Sequence, residues 1–248
     1  MSGRLKDLRF DKNNVPILRP DEIEERAEYM LWLFAKESRS KPKATNLNII
    51  INTLMAKHKV KFVFTEDLGY TPAGAKIRGR IALQERTIWV DRSLQPDQNL
   101  FRLRFTLGHE LGHLALHRHR EIKNYHTIDD TDEELRMQFN HAGGSKQIVE
   151  WQANRYASAV LMPRYTVVHA ILVFHQENDI HLNCGMVYVD NTQTNRRLYA
   201  KTLEHLSVVF HVSRTVARIR LQELNLLIDR RERRTEGLAD ELARVLNP

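Results

Sequence analysis

The 248-residue sequence predicts an α+β fold, with a small sheet set among helices. Three observations carry this. Apolar residues recur at helical spacing over residues 20–36, 45–57 and 102–118. In HKVKFVF they alternate instead, so that Val60, Phe62 and Phe64 share one face of a strand. Gly69, Pro72 and Gly74 then mark turns before two further short strands, Ile77–Leu83 and Thr87–Asp91.

The elements follow in order. Pro20 and Asp21 open the first helix, and Ile23, Ala27, Met30, Leu31 and Phe34 form its apolar stripe. SRSKPK (38–43) is a turn. Leu47, Ile50, Ile51, Leu54 and Met55 face one way in the second helix. After the strands, a helix over 102–118 carries FRLRFTLGHELGHLALH. A polar stretch follows at 121–134, and Gly143, Gly144 and Ser145 break it, with Ser145 placed to cap a helix over 145–162. Further helix is expected at 164–175. A hairpin is expected around Gly185–Asp190, turning near Asn191–Asn195, and the last fifty residues read as helices. The division expected is a domain of residues 1–178 and a helical one of 179–248.

Composition narrows the class. An apolar share of 42% and a charged share of 28% are ordinary for a globular protein. No apolar run approaches the roughly 20 residues of a membrane span, and MSGRLKDLRF lacks the apolar stretch of a secretory signal. The single cysteine, Cys184, cannot form an intrachain disulfide. A cytoplasmic protein without a membrane partner is expected. The net charge of +7 invites a nucleic-acid reading. It is diffuse, however, with no polybasic arm. The twelve histidines are the more unusual count.

Two of them stand in His109-Glu110-Leu111-Gly112-His113, an HExxH pattern. Residues four apart share a helix face, so both imidazoles can reach one ion. Glu110, beside that face, is placed as general base toward a water activated by the ion. Phe105, Leu107, Leu111, Leu114 and Leu116 make the helix apolar and draw the histidines inward. Gly112 costs helix propensity and leaves room for another backbone. The competing reading is an amphipathic helix with histidines at its edge.

A third ligand has two placements. His119 stands ten residues after His109, as in metzincins, but that pattern needs glycine where Leu116 stands. A straight helix carries His119 about 9 Å beyond His113 at roughly 1.5 Å per residue, which argues against it. His117 is also a turn too far, and reads as an outer support or a helix-end residue. The alternative is Glu150 on the later helix, with Asn154 one turn on. There Glu150 would ligate while the Asn154 side-chain oxygen accepts the outward N–H of His109. From the residues alone, a solvated surface carboxylate explains Glu150 equally well.

FTLGHELGHLALH, with EWQANRYASAVLMP downstream, resembles the ImmA/IrrE family of bacterial metallopeptidases. Glu150, Ala153, Asn154, Tyr156, Ala157, Leu161, Met162 and Pro163 carry the second half of the match. The resemblance, over about residues 45–175, implies a thermolysin-like minimal metallopeptidase with His109, His113 and Glu150 as ligands. It implies a Zn2+ cofactor, with Mn2+ as the other fit to N/O ligands. Gln152 departs from the family, many members of which have glutamate there; the Asn154 spacing keeps Glu150 as the ligand. LEHLSVVFHVSRTVARIRLQELNLL is similar to the family's helix-turn-helix segment. Leu206, Phe210, Val212, Val216 and Leu221 would form its core and Ser213 its cap. Arg214, Arg218 and Arg220 would be exposed for DNA.

The family implies an endopeptidase that cleaves a partner helix-turn-helix transcriptional repressor, releasing stress-response or mobile-element genes. The alternatives are a DNA-binding regulator using the peptidase fold as scaffold, or a toxin–antitoxin component. A substrate strand could add beside the 87–91 edge. Tyr125, His141 and Tyr156 are the candidates for stabilising the oxyanion.

Overall fold

The computed structural model describes residues 8–64, 66–94, 96–118, 127–131, 144–181 and 185–231. His119, Tyr125, His141 and Cys184 lie outside the described residues.

Helix α1 spans Pro20–Phe34, and a 3-10 turn follows at Lys36–Arg39. The Glu22 carboxylate accepts the Arg19 N–H at 2.7 Å and so satisfies the open end of α1. Helix α2, Leu47–His58, begins where the Asn46 side chain accepts the Ile49 N–H. It stops where Lys59 turns left-handed at φ 52°. Strands β1 (Lys61–Val63), β2 (Ile77–Ala82) and β3 (Thr87–Val90) precede α3, Pro96–Leu116, and β4, Thr127–Thr131, follows it. The sheet order is β1-β3-β2-β4, with β1 parallel to β3 and the other pairs antiparallel. The 87–91 strand expected at an edge is therefore interior; β1 and β4 are the edges. β4 comes from the polar stretch TIDDT, which has no strand periodicity of its own. It exists because β2 offers a free side to pair with.

Helix α4, Ser145–Leu161, runs through the centre of the molecule and packs mainly on α3 and α1. Its N-cap is Gly144, not Ser145. The Ser145 hydroxyl instead donates to Asp11 at 2.8 Å and accepts from the Asn13 amide at 2.8 Å. That tie seats the N-terminal segment against the start of α4. Helix α5 is Arg164–Glu177. Among the described residues no single helix is long and apolar enough to cross a membrane; α4 and α5 reach that length only together, across a 52° bend.

The hairpin expected at 185–195 does not form. Strand β5, Val187–Val189, pairs in parallel with β6, Leu227–Asp229. Asp190 and Thr192 instead start α6, Gln193–Phe210. The Asp190 carboxylate accepts from the Thr192 N–H and from Asn195, and Thr192 accepts the Asn195 N–H. Helix α6 ends at the left-handed His211. After a short turn, Ser213 caps α7, Arg214–Glu223, by accepting the Val216 N–H at 3.2 Å. One apolar cluster joins Ile23 and Leu31 of α1, Val160 and Leu161 of α4, and Leu206, Phe210 and Leu221 of α6 and α7. The core is thus continuous across residue 178. Arg104 of α3 reinforces it by donating to the carbonyls of Thr45 and His211.

Candidate metal centre

The centre forms where α3 crosses α4, and small residues set the approach. A Cβ on Gly112 would lie 2.9 Å from the Ala153 carbonyl oxygen and 3.0 Å from its Cα. A Cβ on Gly108 would meet Ala157 at 3.2 Å. Gly112 therefore spends helix propensity to let the two backbones nearly touch. That contact carries Glu150, three residues before Ala153, to the histidine face of α3.

His109 and His113 present Nε2 to one another at 2.8 Å, and Glu150 Oε2 lies 3.2 Å from the first and 3.6 Å from the second. All three side chains are sealed from solvent. A tetrahedral ion bound at about 2.0–2.1 Å holds its ligand atoms about 3.3 Å apart, an edge that these three separations bracket. Neither oxygen of Glu150 has a hydrogen-bond partner among the described residues. A buried carboxylate in that condition is costly without a cation beside it. His109 Nδ1 faces Asn154 Oδ1 at 2.8 Å, which makes Nδ1 the N–H and turns the Nε2 lone pair inward. Two imidazole nitrogens and a carboxylate oxygen converge, so the donor set fits a divalent ion such as zinc, with His109, His113 and Glu150 as its holders.

Glu110, adjacent in sequence, turns to the sheet. A Cβ on Gly79 of β2 would stand 1.9 Å from Glu110 Oε1 and 2.9 Å from the Thr106 methyl. Only glycine on that strand leaves space for the carboxylate. Nothing in the local sequence marks this role; it depends on β2 lying across α3.

Gln152 is buried, and its amide bonds His117 rather than the ligand triangle. The helical offset of two residues from Glu150 points it elsewhere, so the departure at this position leaves the ligand set intact. His117 supports His113 from behind, with Nδ1 to Nδ1 at 3.0 Å. Tyr156 is fully buried against Gly112, and burial pushes its phenol well above the usual range. No described hydrogen bond joins its hydroxyl to the centre.

The three arginines of α7 part company. Arg214 is exposed and pairs with Glu204, and Arg218 is half-buried and bonds Gln222 at 3.3 Å. Arg220, expected to be exposed for DNA, is fully buried. It donates to Glu24 through both terminal nitrogens, at 2.9 and 2.5 Å, and to the Met162 carbonyl at 2.8 Å. Its position on α7 faces α1 and the end of α4, and the two acceptors there hold it inward.

No curated protein matches the chain. The IrrE N-terminal-like domain of the M78 peptidases does match, over residues 42–222. That span takes in both ligand helices and the α6–α7 pair, and with the histidine–glutamate centre it places the chain in the M78 peptidase family.

Proposed function

We propose that the protein is a metal-dependent endopeptidase that cleaves a partner transcriptional repressor of the helix-turn-helix type. The observation that supports it is the convergence of His109, His113 and Glu150 beside a carboxylate, Glu110, that the ligand set does not use. A bound divalent ion, zinc by the donor chemistry, supplies Lewis acidity for the scissile carbonyl and makes water acidic enough to be deprotonated near neutral pH. Glu110 takes that proton and returns it to the leaving amine, so that one carboxylate serves as base and then as acid. Asn154 holds the His109 ring in its ligating orientation. The burial of Arg220 removes one of three expected DNA contacts and weighs against the DNA-binding reading.

The test pairs zinc stoichiometry with cleavage of the helix-turn-helix repressors encoded nearest this chain, followed by mass spectrometry. Glu110→Gln should bind zinc and lose about 10²–10⁴-fold in cleavage rate. Cleavage at the unmodified rate in that variant would sink the mechanism.

A further inference from the structure

We propose that His117 and Gln152 are positioning residues for the metal centre, through a hydrogen-bond chain of fixed direction that starts at the Pro16 carbonyl. The chain rests on the metal-binding reading above and extends it. The Gln152 amide nitrogen lies 2.7 Å from the Pro16 oxygen. A backbone carbonyl can only accept, so the NH2 group faces Pro16 and the Gln152 oxygen faces the other way. That oxygen lies 2.9 Å from His117 Nε2, which must therefore carry the proton.

A neutral imidazole with Nε2–H has a bare Nδ1. His117 Nδ1, 3.0 Å from His113 Nδ1, thus accepts from it, and His113 is held as its Nδ1–H tautomer. The lone pair of His113 Nε2 is left pointing at His109 Nε2 and Glu150. Reversing any link would set the Gln152 oxygen against the Pro16 oxygen at 2.7 Å, acceptor on acceptor. His117 and Gln152 are both buried, so water does not compete for the links.

The direction originates in the N-terminal segment. Asp11 accepts the N–H groups of Asn13 and Val15, each at 2.8 Å, and Ser145 ties Asp11 to the start of α4. Ser145, two turns before Gln152 on α4, thereby anchors the segment that brings the Pro16 carbonyl to Gln152. His109 is supported from outside by Asn154 directly, whereas His113 is oriented through His117, Gln152 and Pro16 in succession.

Long-range proton–nitrogen correlation spectra of the full chain, labelled at histidine nitrogens and loaded with zinc, read the tautomers directly. His117 should appear as Nε2–H and His113 as Nδ1–H; His117 as Nδ1–H would overturn the proposal. Zinc affinity by chelator competition gives a second reading. Gln152→Met should weaken it about 10–100-fold, and Gln152→Glu, which keeps an acceptor toward His117 but sets its second oxygen against the Pro16 carbonyl, should restore only part of it. Equal affinity for Gln152→Met and the unmodified chain would also overturn the proposal. A chain that binds no zinc refutes the metal reading instead, and the His117 tautomer in the zinc-free chain still decides the direction.

Discussion

Two buried polar clusters flank helix α4, and they differ in how their charges are met. At one, Arg220 meets Glu24, Glu223 and the Met162 carbonyl, while Ser158 donates to Glu223. At the other, Glu150 has no hydrogen-bond partner among the described residues and faces two histidine nitrogens. The first is complete as a set of donors and acceptors. The second is complete only with a cation. A buried carboxylate with its donors in place holds structure; one facing lone pairs marks chemistry. The two carboxyls of the first cluster titrate in opposite directions. Burial raises the Glu24 carboxyl, but Arg220 outweighs it and holds the group below its ordinary range. At Glu223 burial prevails over Arg220, Ser158 and Arg155, so its carboxyl is raised.

The contrast can be broken by exchanging stability and metal affinity as readouts. Arg220→Ala leaves Glu24 and Glu223 without their cation and should cost about 3–5 kcal/mol in denaturant unfolding. Zinc affinity of the folded fraction should be unchanged; a large loss of affinity would show that the two clusters are coupled.

Asp91 sharpens the same point on the sheet. Burial raises its carboxyl, yet hydrogen bonds from Ser93, the Leu68 N–H and Lys76 prevail and hold it at about 2. A carboxyl depressed by folding stabilises above its unfolded pKa and loses that contribution as pH falls through the folded value. Asp91→Asn should therefore cost about 2 kcal/mol at neutral pH. The deficit should close between about pH 4 and pH 2, as urea midpoints across that range would show.

Gly112→Ala tests the helix contact that joins the ligands. The added methyl meets Ala153 at 2.9 Å, so the two helices must part. A loss of about 1–2 kcal/mol is expected, because overpacking exceeds the gain in helix propensity. Zinc affinity should fall with it. The smallest effect on stability belongs to Glu150→Gln. A buried carboxylate without donors is costly in the metal-free chain, so removing its charge should leave metal-free stability unchanged or raise it by about 1 kcal/mol at most. Zinc affinity should nevertheless fall by more than about 100-fold, beyond what loss of an outer support costs.

Much of the centre was legible. His109, Glu110 and His113 follow from a spacing of four on one helix. The Asn154 bond to His109 was expected from its position one turn after Glu150, and it is present at 2.8 Å. The Ser213 cap was read from local sequence and is present too. What escaped depends on distant partners. β5 looked like half of a hairpin, but its partner β6 lies forty residues on, and Thr192 and Asp190 start a helix where the turn was placed. Arg220 looked like a surface residue because no local signal announces Glu24, 196 residues away. Gln152 looked like a departure at the site, whereas it closes a chain to Pro16.

The sequence by itself determined most of the helices, the Ser213 cap and a pair of imidazoles on one face, because periodicity and capping act within a few residues. Tertiary structure decided the rest. It brought Glu150 to the histidines through glycine-on-alanine contact, opened space for Glu110 at Gly79, turned Arg220 inward and gave His113 its tautomer. Each of those depends on which distant atom fills the next few ångströms, and that is set only when the elements pack.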